Sequence, residues 1–389
     1  MNKRERFLAV CRGEKTDYIP IFGFPWAPGM SGGCMKSTYI NLMKTGMPDI
    51  GLYGDNCESD KINVDAWRHY WGTDGPREID FWPCHIGGVG FKTETYIKDG
   101  FEYIESESGA LTRQVINNDD TYSMPDYIRF DVRDRESYEL YKSRNTPSQP
   151  WTAEEIDEAC KKYDDRTEVL WLTVGGTWGV MRYAMGPFFA STVLYDDPDL
   201  VHDYMEWQLQ IFRDFMFPLI KRLKPDVVAM HEDFCYNHGM FISPGCFNEF
   251  CAQNYSEIGD CIKQAGVPVF ALDCDGNIEQ AIDLMAPLGL NAFFPFEVKA
   301  GNDLHKVRAK HPELVMFGGL EKESINTGNG HLIKSEIESK LDLIKGGRYF
   351  PNGDHGIQPL ADYTNLCKFM TLLHEVTENP TGTFPRTKT

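Results

Sequence analysis

Acidic and imidazole side chains recur in this sequence where apolar runs end. The run "DVVAMHED" closes on His231, Glu232 and Asp233, and "VPVFALDCD" closes on Asp273 and Asp275 with Cys274 between them. "LNAFFPFE" ends on Glu297, "LVMFGGLE" on Glu321, and "GRYFPNGDH" on Asp354 and His355. The opposite ends of the same runs carry a plainer set: Asp226, Gly266, Leu290, Glu313 and Gly347. Oxygen and ring-nitrogen donors gathered at one end of a set of strands are what a metal centre or a general acid/base site requires. Blander roles stand beside this one. Asp273 and Asp275 are residues that suit the start of a following helix, where a carboxylate meets the positive end of the dipole. Asp233 suits a turn, and Glu297 could pair with Lys299 or Arg308. His355, set between an acid and a glycine, reads as functional. The chain has no His-Glu-x-x-His, no Gly-x-x-x-x-Gly-Lys and no Gly-x-Ser-x-Gly. "GGTWG" (175–179) lacks dinucleotide-binding spacing and reads as a tight turn at the mouth of the fold.

The elements that must hold these groups follow from the pattern between them. Apolar runs at 168–174, 226–232, 267–273, 290–297, 314–319 and 347–351 have the look of strands buried on both faces. Helix signals separate them. Asp197-Pro198 opens one helix and Ser243-Pro244 another that ends at Gly266; Ile278–Met285 and Ile337–Ile344 supply two more. Strands alternating with helices predict a (β/α)8 TIM-like barrel, whose functional groups stand at the carboxyl ends of its strands. The first 150 residues are less regular. "YIPIFGF" (18–24) fits an early barrel strand, and the opening residues fit an amphipathic helix ahead of it. Residues 88–115 alternate polar and apolar with turns at Asp99-Gly100 and Ser108-Gly109, an antiparallel β-meander inserted into the barrel. The segment 145–155 reads as a linker in which Thr152 and Glu155 offer a capping box. The expectation is a single barrel domain over 1–389, with an N-terminal helical extension and 80–150 as a decorating insertion.

Composition narrows the function. The 389 residues carry a formal net charge of -19, which argues against nucleic acid or an anionic membrane as partner. No leader-like stretch and no apolar run of transmembrane length is visible, and eleven cysteines occur without a Cys-x-x-Cys pair. These features place the chain in a reducing cytoplasm. A homodimer is the working expectation for its assembly.

Several of these stretches are similar to a known superfamily. "RERFLAVCRGEKTDYIPIF", "LTVGGTWGVMRYAMG", "HEDFCYNHGMFISPGCFNEF", "LDCDGNIEQAIDLMAPLGLNAFFPFE", "VMFGGLEK" and "PNGDHGIQP" resemble, in order, the motifs of the uroporphyrinogen decarboxylase superfamily. The arginine-rich segment of the true decarboxylases is replaced here by "GFPWAPGMSGG", which has no arginine. The His-x-Cys pair and distant Cys of the thiol-methylating branch are replaced by Asp273-Cys274-Asp275 and by Asp354-His355. The chain looks closer to the methyltransferase components of anaerobic O-demethylases. That resemblance implies zinc on Glu297, Glu321 and His355, with an open position for substrate. It implies His355, Asp273 and Asp275 as catalytic residues, and Trp26, Trp178, His231 and Asp233 as substrate-binding ones. The implied reaction removes a methyl group from a small methoxylated aromatic donor and delivers it to cobalt(I) of a corrinoid on a separate protein. Phe22, Phe24, Trp26, Trp178, Tyr183 and Phe188 are the candidate aromatic wall. A metal-free decarboxylase or lyase of the same fold, with Asp55 or His355 as acid, is the alternative.

Overall fold

Apolar runs that need cover on both faces form the centre of the molecule. The computed structural model describes all residues except 24–31, 60, 83, 86–92, 107–108, 117–124, 148, 327–328 and 388–389. Seven strands pair in parallel, in chain order: β1 (Arg77–Glu78), β2 (Leu170–Gly175), β3 (Val227–His231), β4 (Val269–Asp273), β5 (Ala292–Phe294), β6 (Val315–Leu320) and β7 (Tyr349–Gly353). Helices fill the crossovers, as parallel neighbours require. Ahead of β1, Phe22 makes a parallel bridge with Asp74, and its ring lies 5.8 Å from that of Phe350 in β7. The sheet is thus curled as in a TIM-like barrel, with the Phe22 ring set against Trp171 of β2 and Phe350 of β7 inside the curl.

A two-residue period sorts the strands β2 to β7 between two cores. Trp171, Val227, Ala229, Val269, Ala271, Ala292, Phe294, Val315, Phe317 and Phe350 pack with one another inside the curl. Their neighbours Leu170, Leu172, Val228, Met230, Phe270, Leu272, Phe293, Met316 and Tyr349 face the surrounding helices. The amino-terminal helix Lys3–Arg12 closes the lower end, because Phe7 and Val10 join the inner cluster. Phe7 lies 4.7 Å from Phe22 and 4.9 Å from Phe350 between ring centroids. Burying that one ring is worth about 2 kcal/mol. Arg4 pairs with the buried Asp226 at 2.9 Å, and the Arg348 N–H donates to the Val10 carbonyl at 2.9 Å. Both contacts lie at the amino ends of strands, so chemistry is left to the opposite mouth.

The meander is a separate antiparallel sheet of four strands, Glu94–Lys98, Phe101–Glu105, Leu111–Val115 and Asp126–Arg129. The fourth strand lies beyond the 88–115 stretch that the alternation marked. Asp99 and Gly100 both take positive φ, 51° and 80°, which a two-residue hairpin of this twist requires. Thr152 and Glu155 form the expected capping box at the start of the helix Ala153–Cys160. "GGTWG" does turn at the mouth: Gly175 ends β2, and Gly176 precedes the helix Thr177–Asp196.

Candidate functional site at the carboxyl mouth

The inner rows of β3 and β4 run through Ala229 and Ala271 and end on His231 and Asp273, which are register partners. The same parity carries Glu232 outward. There its buried carboxylate accepts the backbone N–H of Trp178 and of Gly179, together with the Tyr255 hydroxyl, at the start of the helix Thr177–Asp196. A Cβ on Gly176 would lie 2.0 Å from that carboxyl carbon, so only glycine lets the helix approach this closely. Burial pushes the Glu232 carboxyl up to about 7.

Two connected groups occupy the mouth. In the first, His231 Nδ1 and Asp273 Oδ2 are 2.7 Å apart. Tyr183, from the helix Thr177–Asp196, stacks near the His231 ring with centroids 6.1 Å apart, and its hydroxyl lies 3.4 Å from Nε2. The same hydroxyl donates to Asp233, which also receives Arg182 at 2.6 Å. Burial pushes Asp273 up to about 6 against the opposing pull of His231. Burial would depress His231, but the hydrogen bond to Asp273 and the charges of Asp273, Asp233 and Asp275 outweigh it and raise it.

In the second group, Asp275, Glu297 and His355 bring one donor atom each to within 4.8 Å of one another. Asp275 Oδ2 and His355 Nε2 are 3.6 Å apart. Contact with Asp275 raises His355. Burial alone would lift Asp275, yet His355, Lys322 and His231 together hold it below the ordinary carboxylate range. Glu297 follows Phe296, whose φ of 59° is uncommon for an aromatic residue. One of its oxygens accepts the Gly276 N–H at 2.8 Å, and the other is 3.6 Å from Lys322 Nζ. Asp354 holds the loops after β5, β6 and β7 together: its two oxygens accept the backbone N–H of Val298 at 2.9 Å and of Lys322 at 3.0 Å. Gly318, with φ 90°, lets β6 pass the Pro295 carbonyl, which a Cβ would meet at 2.3 Å.

This donor set suits zinc. Atoms about 2.0–2.2 Å from a tetrahedral ion stand roughly 3.3–3.6 Å apart, close to the Asp275–His355 separation, and three protein donors leave one position open. Among the described residues no other group of three such donors gathers this closely.

Several sequence expectations meet different surroundings. Glu321, expected as a ligand, lies outside the trio with its carboxylate 2.7 Å from Lys299 Nζ. Asp275, expected as catalytic, stands in the trio instead. Trp178, expected against substrate, is 0% exposed and stacks on Phe234 in the outer core, because its position at the start of a helix turns it away from the mouth. Phe22 is likewise inside the barrel, while Phe188 is 82% exposed. Trp26 and Phe24 lie outside the described residues. Asp55 is exposed in a short turn and does not join either group. Neither Asp273 nor Asp275 caps the next helix, which begins after Ile278 without a side-chain cap. The sequence places Tyr183 only in the candidate aromatic wall, and sequence reasoning passed over Arg182, Lys322 and the stapling role of Asp354. For the last two the only signal was adjacency to Glu321 and His355.

Comparison with known proteins agrees with this architecture. The uroporphyrinogen decarboxylase (URO-D) family model matches residues 110–376, well over half of the chain. A methyltransferase from Methanosarcina mazei shares the fold at a TM-score of 0.58 and 14% identity, over 96% of this chain and 99% of that one. A chain described as a vitamin-B12 independent methionine synthase from Listeria monocytogenes aligns over 61% of this chain and 73% of its own at 14% identity, but its TM-score of 0.33 carries no argument. A search of curated proteins finds no match.

Proposed function

The chain belongs to the uroporphyrinogen decarboxylase family, and within it we propose a zinc-dependent methyltransferase that takes the methyl group of a small methoxylated aromatic compound and passes it to cobalt(I) of a corrinoid on a partner protein. Family membership and the fold shared with a methyltransferase support an enzyme of decarboxylase or methyl-transfer type. The observation that carries the finer reading is the convergence of Asp275, Glu297 and His355 at the carboxyl mouth. Zinc held by these three residues would act as a Lewis acid toward an ether oxygen, the group that must depart as phenolate when methyl is displaced.

The remaining work falls to the chain's own side chains. The Gly276 N–H fixes the Glu297 carboxylate, and Asp354 keeps the loops bearing Glu297 and His355 in register. Asp233, Asp273, Asp275, Glu297 and Asp354 make the mouth acidic, which disfavours a polycarboxylated substrate and suits a neutral ether. The meander shares no strand with the barrel sheet, which supports 80–150 as a decoration on one barrel domain. The metal-free lyase or decarboxylase has one observation in its favour. Lys322 already places an ammonium 3.6 Å from Glu297 and could neutralise the acids without an ion. Metal quantitation, paired with turnover of methoxylated aromatics in the presence of a cobalt(I) corrinoid, separates the two. Zinc with methyl transfer supports the proposal, and turnover of a carboxylated substrate by metal-free protein overturns it.

A further inference from the structure

One cation at the mouth has no hydrogen-bond acceptor. Lys322 Nζ stands 3.6 Å from one Glu297 oxygen, while the other oxygen of that carboxylate accepts the Gly276 N–H. The separation is too long for a hydrogen bond, and among the described residues the ammonium makes none. Its side chain is nevertheless 16% exposed, held at the edge of the trio and not free in solvent. Two other cations near the mouth are already paired: Lys299 lies 2.7 Å from Glu321, and Arg182 2.6 Å from Asp233. The loop after β6 that carries Lys322 is pinned through its main chain. The Glu321 N–H donates to Glu336 at 3.0 Å, the Lys322 N–H to buried Asp354 at 3.0 Å, and the Lys322 carbonyl accepts the Ile325 N–H at 3.1 Å. The base of this side chain is therefore fixed by bonds that the side chain does not make. An ammonium carries three donors, and here they stand beside Glu297 with nothing to receive them.

Charge balance gives these donors a use. Two carboxylates cancel the charge of a divalent ion and a neutral imidazole adds none. A negative oxygen forming beside the trio would therefore lack a counter-charge, and donors fixed in advance toward developing charge are what lower such a barrier. We propose that Lys322 is a further catalytic residue, whose ammonium donates a hydrogen bond to the oxygen that becomes negative as the methyl group leaves. This rests on the methyltransferase reading above. In the step, the donor's methyl C–O bond breaks with its electron pair staying on oxygen. The new Co–C bond uses the electron pair of the cobalt(I) acceptor, which is thereby oxidised to cobalt(III). Lys322 keeps its protons throughout, and the product leaves as a phenolate that takes a proton from solvent. The ammonium thus favours the charged oxygen of the product over the neutral oxygen of the ether.

Binding tests this without turnover. Calorimetric titration compares 4-nitrophenolate with its methyl ether, 4-nitroanisole, on zinc-loaded wild type and Lys322→Met, at a pH where the phenol is ionised. Lys322→Met should bind the phenolate about 10–100-fold more weakly and the ether as wild type does. Methyl transfer from para-substituted methoxybenzenes to a cobalt(I) corrinoid supplies the second reading. There kcat should fall about 100-fold or more for unactivated donors and less for the nitro-substituted one, whose phenolate needs least stabilisation, with KM unchanged. Added ethylammonium should restore part of the rate of Lys322→Ala. Zinc content and melting temperature should match wild type, because the loop is held by its main chain. Equal weakening of phenolate and ether, or weakening of neither, overturns the role of Lys322 while leaving the methyltransferase reading intact. A zinc-loaded wild type that transfers no methyl group from any donor overturns both.

Discussion

Replacing Asp354 by Asn changes one atom and should unsettle three loops. The carboxylate is 2% exposed, and each oxygen receives one backbone N–H, from Val298 at 2.9 Å and from Lys322 at 3.0 Å. An amide keeps one of these bonds and turns its NH2 toward the other donor. The lost charge-assisted bond is worth about 1.5–3 kcal/mol and the backbone N–H left unsatisfied about 1–3 kcal/mol. Part of this is offset, because burial already disfavours the charged Asp354 and the neutral amide avoids that cost. The net loss expected is about 2–3 kcal/mol, which lowers the melting temperature of a domain this large by roughly 2–4 °C. The loops concerned carry Glu297 and His355, so zinc affinity should fall by about 10–100-fold, as it does when the groups supporting metal ligands are removed. Calorimetry and a zinc titration measure the two effects. Unchanged melting temperature and unchanged zinc affinity would refute the stapling role.

Gly318→Ala should destabilise the fold by about 3 kcal/mol or more in urea unfolding, since its Cβ would lie 2.3 Å from the Pro295 carbonyl oxygen at a φ of 90°; a stable variant would mean that β6 can shift. Glu232, pushed up to about 7 by burial, gives stability that is complete below its unfolded value near 4.5 and is lost as pH rises through 7. That interval corresponds to about 3 kcal/mol, so wild type should weaken from pH 5 to pH 8 by about that much relative to Glu232→Gln. Parallel pH profiles for the two proteins would remove Glu232 as the cause. Glu321→Gln should cost little metal, because the structure pairs Glu321 with Lys299; zinc loss equal to that of Glu297→Gln, read by elemental analysis, would restore it as a ligand.

Strands β2 to β7 were legible because parallel barrel strands are buried on both faces and announce themselves as unbroken apolar runs, whereas β1, two exposed residues, carries no such run. Period-two parity within those runs also sorts His231 and Asp273 to the inside and Glu232 to the outside. The trio was harder to read. Glu297 and His355 stood out at strand ends, but the choice between Glu321 and Asp275 depends on loop paths after the strands, where no period applies. Lys299 could be seen as a partner for an acid, yet the sequence alone did not tell Glu297 from Glu321. Trp178 misled for a related reason: an aromatic after a glycine-rich turn faces the mouth or the core according to the first turn of the helix, and here Glu232, just past the end of β3 and more than fifty residues away, fixes that turn.

The central claim is a zinc site made by Asp275, Glu297 and His355. It is tested most directly by elemental analysis of wild type, Asp275→Asn, Glu297→Gln and His355→Ala after zinc loading and gel filtration. The account expects about one zinc per wild-type chain and little or none in each of the three variants, with all four proteins folded by circular dichroism. Wild type without stoichiometric zinc, or an Asp275→Asn protein that keeps its full complement, would contradict it.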